Sequence, residues 1–281
     1  MKIALVLHGK SGGSTDKDEK LSYGSDQAIP FIKKNILENN DVDIFYHTWE
    51  EGYHKLWEDN YKPKKFLVEK SKKFISPSTK DVLRYWKKHI MSFFGIYQKR
   101  ELNYNNNIYS RWYSFKESLN LLINYSKVEN INYDFVICSR FDFFLTKRIN
   151  FDFLDKSKFY SSSEILFVDD YKIPIQPVSL YLKEGFNREK YSFVEVDYFN
   201  NPINGMNDLF QMGSYENIIQ LKDLFDKLDY YIKTLKIPNS NHHLLLAHLV
   251  EKKLEPLRTT ILYSRLNCGL TRWMNNNYLR S

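Results

Sequence analysis

Only two cysteines, Cys138 and Cys268, occur in 281 residues, too few for a disulfide framework. Cys138 sits in an apolar run and reads as a small buried hydrophobe. Glycine is scarce as well, at 10 residues, which argues against repeats and glycine-rich linkers; no internal period or low-complexity block is present. No apolar run approaches the ~20 residues that span a bilayer. The chain begins directly on a strand-like segment without a signal-peptide pattern, so a cytoplasmic protein is expected. Several site signatures are missing too. Zinc-ligand spacing is absent, and so is the Gly-x-Ser-x-Gly turn of a serine hydrolase. Ala4 stands where a Walker A loop ending in Gly9-Lys10-Ser11 needs glycine, and the Gly-x-Gly-x-x-Gly spacing does not occur.

Aromatic side chains are plentiful: 21 Tyr, 20 Phe and 5 Trp supply both core and stacking surfaces. The net charge of +7 is uneven, because residues 55–100 hold 13 Lys/Arg against four Asp/Glu. Outside that stretch the charge is slightly negative. Trp57, Phe66, Phe74, Trp86, Phe93 and Phe94 interleave with these lysines. Two readings stay open: a solvated helical face, or contact with an anionic surface such as lipid head groups or a phosphorylated acceptor. A nucleic-acid partner is not expected, since no binding signature accompanies the charge.

Lys2–Leu7 is a nearly continuous apolar run, as suits a strand buried on both faces. The polar loop 8–14 follows. A helix fits 26–38, with Ile29, Ile32, Ile36 and Leu37 on one face and Pro30 near its first turn. Asn39-Asn40 should end it before a second strand, 42–47. Ser78 and Asp81 form a capping-box-like start for a helix carrying Val82, Trp86, Ile90 and Phe93. A further helix is expected over 111–127, with Trp112, Phe115, Leu119, Leu122 and Ile123 inward, and then the clearest central strand, 133–139. Beyond it the pattern predicts a strand at 164–168, loop-rich chain over 172–205 around a strand at 193–198, helices over 208–232 and 241–253, and a last strand at 259–263. Strands alternating with helices imply a three-layer α/β fold. The expected layout is one domain over 1–265, with a basic aromatic helical insertion at about 52–105 and a tail over 266–281.

Ligands of open α/β sheets bind beyond the carboxyl ends of the strands. Four polar clusters occupy such positions: His8 to Gly13, His47 to Trp49, Ser139 to Asp142, and Asp169-Asp170. The first loop is either a plain turn or a nucleotide cradle built from backbone amides. Asp142 leaves a strand directly, where a carboxylate can hold a divalent metal against a diphosphate. Arg140 can stabilise the same leaving group without metal; alternatively the two residues form a surface ion pair. Asp208 either caps a helix or serves as a general base. His248, on a Leu-rich helix, reads as structural, and the adjacent His242-His243 make a poor metal pair because they diverge on a helix.

Taken in order, four segments resemble the GT-A-type glycosyltransferases of bacterial and viral capsule and lipopolysaccharide clusters, including WavE-like proteins. They are Lys2 to Gly13; Asn40 to Trp49, with Phe45-Tyr46-His47-Thr48-Trp49 at its end; Tyr133 to Asp142; and Asn207 to Ser214. A fifth, Ser110-Arg111-Trp112-Tyr113-Ser114, resembles the family's donor-side helix. The resemblance implies a GT-A-like Rossmann-type mixed sheet flanked by helices, a nucleotide-sugar donor, and a saccharide or lipid-linked acceptor in surface polysaccharide synthesis. It implies that His8, Gly9, Lys10, Gly12 and Gly13 flank the nucleotide together with Arg111 and Tyr113. Asp142 takes the place of the Asp-x-Asp motif, and Asp208 lies near the acceptor as base. Arg140 replaces the motif's first acid. The resemblance therefore leaves two alternatives: Mn²⁺ or Mg²⁺ held by Asp142 with help from His248, or a metal-free site in which Arg140 and lysines bear the diphosphate charge. A lipid-linked acceptor would put the protein peripherally on the inner face of the membrane. The rival readings are transfer of another group from a nucleotide donor and a non-catalytic nucleotide- or glycan-binding protein of the same fold.

Overall fold

The computed structural model describes residues 1–12, 24–49, 52–75, 83, 86–87, 104–145, 148–161, 208–235, 237, 239–254, 260–261 and 268–270. It is a mixed α/β structure. Five strands of four or more residues form the body of one sheet, and two strands of two residues extend it. The elements are β1 Lys2–Gly9, β2 Asp41–Trp49, β3 Lys65–Glu69, β4 Phe135–Arg140, β6 Tyr160–Ser161, β7 Phe210–Gly213 and β8 Thr260–Ile261, in the spatial order β3-β2-β1-β4-β7-β6-β8. Strands β3, β2, β1 and β4 run parallel, and β7 is antiparallel to β4. A separate antiparallel pair joins β5, Phe143–Leu145, to β9, Cys268–Leu270.

Side-chain alternation along β1 divides the core in two. Ile3, Leu5 and Leu7 pack with Ala28, Ile29, Ile32 and Ile36 on one face. Ala4 and Val6 pack on the other with Ile108, Trp112, Phe115, Leu119 and Leu122. The first group comes from the crossover between β1 and β2. This is a composite helix: a 3₁₀ turn Ser25–Ala28, α1 Ile29–Ile32, and a π turn Lys33–Leu37. The second comes from α3, Tyr104–Glu129, which connects β3 to β4. Asn39, Lys62 and Asn130 adopt positive φ values of 60°, 45° and 53° where helices end, which turns the chain out of each helix.

Three expectations need correction. The stretch read as a helical insertion begins with a short helix, α2 His54–Tyr61, and then supplies β3, an edge strand of the main sheet paired in parallel with β2. Residues 208–213 are strand and loop, not helix: Phe210 and Met212 are buried beside β4. The helix starts only at Tyr215, where Ser214 caps it by accepting from Asn217 N. From there α4 Tyr215–Ile219, α5 Leu224–Asp229 and α6 Asn241–Glu251 complete the second face. The expected tail contributes β9. Of the helix expected from Ser78, only Leu83, Trp86 and Lys87 are described; they are helical, with Leu83 and Trp86 exposed. Gly13, Asp169-Asp170, the strands at 164–168 and 193–198, and the loop-rich stretch 172–205 lie outside the described residues. No helix among the described residues is long and apolar enough to cross a membrane.

Candidate functional site at the carboxyl ends of β1 and β4

The chain leaves β1 toward β2 through a crossover on one face of the sheet, and reaches β4 through α3 on the other. Neighbouring strands β1 and β4 therefore mark a topological switch point, the position at which open α/β sheets bind ligands. Register places a polar residue there on each of three adjacent strands, since His8 lies opposite both His47 of β2 and Arg140 of β4. By alternation all three belong to the face covered by α3, together with Val6, Phe45 and Cys138. Arg111, Trp112, Tyr113, Ser114 and Phe115 of that helix lie above them.

The first loop is pinned from several sides. Gly9 has φ 101°, which L side chains rarely adopt, and open space where a Cβ would stand. Its N–H donates to Ser114 Oγ at 2.7 Å. Ser11 N donates to Thr48 Oγ1 at 3.0 Å, while Ser11 O accepts from Trp57 Nε1 at 2.9 Å and from Ser25 Oγ. Two of the amides expected to cradle a phosphate are therefore committed to the protein itself. Lys10 is exposed, and Gly12 closes the described part of the loop.

His47 Nε2 lies 2.9 Å from Glu69 Oε2, and Nδ1 lies 2.7 Å from Ser114 Oγ. A carboxylate only accepts, so Nε2 carries the proton and Nδ1 accepts from Ser114 O–H. Burial lowers the pKa of His47, outweighing the pull of Glu69. Glu69 feels burial in the opposite sense, but Lys72, His47 and Tyr113 hold its carboxyl below the usual range. Ser114, His47 and Glu69 are the residue types of a hydrolase triad. Here the serine is buried within α3 and its oxygen already receives Gly9 N–H. It braces the loop and is not presented as a nucleophile.

Arg140 grips Asp142 with two hydrogen bonds, Nε to Oδ1 at 2.7 Å and Nη2 to Oδ2 at 2.6 Å. Asp142 is buried, which makes this a stronger commitment than the exposed pair weighed from sequence. Arg111 and Asp208 form a second couple, with Nη1 to Oδ2 at 2.9 Å, and His242 Nδ1 stands 3.3 Å from Asp208 Oδ1. Burial would raise the pKa of Asp208, but Arg111, His242 and Arg140 pull it below the usual range. A carboxylate held that way is a weak proton acceptor, so Asp208 stands as the counter-ion of Arg111 more than as a base. Tyr113, two residues along α3 from Arg111, points to the other flank. It stacks on Trp49 (5.6 Å between centroids), donates to Glu69 at 3.0 Å and accepts from Lys72. Arg111 and Tyr113 thus serve opposite ends of the site and not one pocket.

His8 differs from all of these. It is buried edge-on against Phe115 (centroids 5.0 Å apart). Among the described residues neither ring nitrogen has a hydrogen-bond partner. Burial drives its pKa well down, and the Arg111 and Arg140 guanidinium groups add to the effect.

The metal alternative does not fit the donors present. Both oxygens of Asp142 are engaged by Arg140, and the described residues contain no group of three His, Cys, Asp or Glu side chains that could hold a metal ion. His248, expected to assist Asp142, belongs elsewhere. Its Nδ1 meets Tyr231 Oη at 2.8 Å and its Nε2 meets Gln220 O at 3.1 Å, so both ring nitrogens are spent inside the α4–α6 layer. Burial lowers its pKa to about 4. The unfolded chain, with a histidine pKa near 6.5, binds the proton first on acidification. Stability from this group is therefore complete above about pH 6.5 and should fall by about 2 kcal/mol by pH 5. Urea titrations at pH 7 and 5 on wild type and His248→Gln check this. Equal pH slopes in the two proteins would remove His248 from the account.

His47 appeared in the sequence as one strand-end residue among several. Its partners Ser114 and Glu69 were missed, as was His242 beside Asp208. The one available signal was the recurrence of histidine at the ends of both β1 and β2. No family model matches the chain, and no curated protein matches it.

Proposed function

We propose that the chain is a nucleotide-sugar-dependent glycosyltransferase of GT-A-like architecture, acting on a saccharide or lipid-linked acceptor in surface-polysaccharide synthesis. The observation that carries this reading is the row His47, His8, Arg140 at the switch point, faced from α3 by Arg111. A nucleotide sugar is a diphosphate diester, and sugar transfer leaves a nucleoside diphosphate with added negative charge as the anomeric carbon becomes oxocarbenium-like. Preorganised guanidinium groups in a buried crevice stabilise that charge without reorganising. Arg140 and Arg111 are already oriented by Asp142 and Asp208, so little ordering remains when the ligand arrives. In this reading Asp142 and Asp208 are positioning residues, and the diphosphate charge rests on arginine.

The test is a thermal-shift screen of common sugar nucleotides, each with Mn²⁺ and with EDTA. A ligand present at 100 times its dissociation constant adds about 2.7 kcal/mol, which is roughly 5–10 °C for a chain of this size. A shift with one nucleotide class, retained in EDTA, is the expected result. Absence of a shift with every nucleotide would sink the proposal. The closure of both Arg–Asp couples favours a second reading, a nucleotide- or glycan-binding protein without turnover. A binding signal with no donor hydrolysis or transfer would select it.

A further inference from the structure

His8 presents a problem that the surrounding protein does not solve. A neutral imidazole offers one donor and one acceptor, and leaving both buried without partners is costly. Both nitrogens of His8 are in that state. Three other buried titratable groups of the site have internal partners: His47 has Ser114 and Glu69, Asp142 has Arg140, and Asp208 has Arg111 and His242. The next residue, Gly9, leaves open space where a side chain would begin and has a backbone conformation that favours glycine. An unsatisfied buried group beside a glycine that faces open space, at the switch point of the sheet, is placed to meet a ligand.

The charges around His8 say what kind of ligand. Arg111 faces it from α3, Arg140 from β4 and the neutral His47 from β2; Phe115 supplies the apolar wall. Each guanidinium already has a carboxylate, Asp208 for Arg111 and Asp142 for Arg140. Among the described residues the cluster therefore sets two guanidinium groups against two carboxylates. An entering dianion adds two negative charges, only part of which the paired arginines offset. His8 is the nearby neutral base with nothing else to do, and as an imidazolium it can donate from both nitrogens.

We propose that the crevice beside Gly9 binds an oxyanion of the diphosphate-diester class, and that His8 takes up one proton as the anion enters. The sign follows from the surroundings. In the free protein, burial and two cationic neighbours disfavour the imidazolium; a bound dianion reverses the local field and favours it. Binding is thus tighter at lower pH, within the range where the arginine–carboxylate couples stay intact. The inference rests on the donor reading above for the nature of the ligand. Its test, however, uses neither a sugar nor a transfer step.

The probe is P1,P2-dimethyl pyrophosphate, which carries the two charges of a nucleotide-sugar diphosphate and has no ionisation near neutrality. Calorimetric titration at pH 7 in two buffers of different ionisation enthalpy measures the protons taken up. The expected result is uptake of roughly one proton per ligand bound. The ring C–H resonance of His8, assigned by its loss in His8→Gln, should move toward the imidazolium position. The same variant should bind the probe about tenfold more weakly and without proton uptake. Should His8→Gln fail to fold, the wild-type proton count decides alone. Binding without proton exchange, or no binding at about 10 mM probe, a limit of only a few kcal/mol, overturns the proposal. Proton-linked binding with no sugar-nucleotide turnover keeps this inference and defeats the enzyme reading; turnover without proton uptake does the reverse.

Discussion

Replacing Asp208 with alanine should destabilise the fold by about 3–5 kcal/mol, because it removes a buried carboxylate from the largely buried guanidinium of Arg111. Arg111 is 11% exposed at its side chain and Asp208 only 5%, so water replaces little of what is lost. His242 loses the same carboxylate. Arg111 also donates to the Asp208 backbone carbonyl, which a side-chain substitution spares, so the helix should remain docked near the start of β7. The measurement is urea unfolding of Asp208→Ala, Arg111→Met and the combined Arg111→Met/Asp208→Leu. Removing both charges for apolar groups of similar size should restore most of the loss, since a buried ion pair is weak evidence of net stabilisation. A double variant as unstable as the sum of the singles would show that the two side chains act independently.

Arg140→Ala should combine a stability loss of about 3 kcal/mol with a loss of ligand affinity of at least about a hundredfold. The two effects have separable origins. Stability falls because Asp142, buried at the end of β4, loses both of its hydrogen bonds from Arg140. Affinity falls because the crevice loses the guanidinium in register with His8. Adding Asp142→Ala should recover stability without recovering affinity for a sugar nucleotide. Arg140→Lys keeps the charge but not the two-pronged grip, so it should recover only part of either. Recovery of binding in Arg140→Ala/Asp142→Ala would place the ligand's charge on other groups.

Much of the framework was legible from residue spacing. The runs Lys2–Leu7 and 133–139 are apolar on both faces, as strands covered by helices on each side must be. The spacing of Trp112, Phe115, Leu119 and Leu122 located the buried stripe of α3, and all four are buried. What escaped was decided by distant partners. Lys65–Glu69 is too short and too lysine-flanked to announce itself, and it becomes a strand because β2 offers a free edge. Phe210–Gly213 fits a helical pattern as well as a strand until β4 lies beside it. The same limit applied to the site. Strand-end position singled out His8, Arg140 and Asp142, but sequence carries no mark of which acid meets which base across 97 residues, as Arg111 and Asp208 do. His248 was lost to a local network with Tyr231 and Gln220 that no spacing rule anticipates.

The order in which these partners leave the ribosome follows from the same connectivity. His8, His47, Arg111 and Arg140 all lie in the first 140 residues, whereas Asp208 and His242 come much later. At translation rates of ~5–20 residues per second, Arg111 waits several seconds for its counter-ion after β4 has emerged. During that interval Arg111 has yet to meet the Asp208 carboxylate. The couple closes only when β7 and Asp208 arrive.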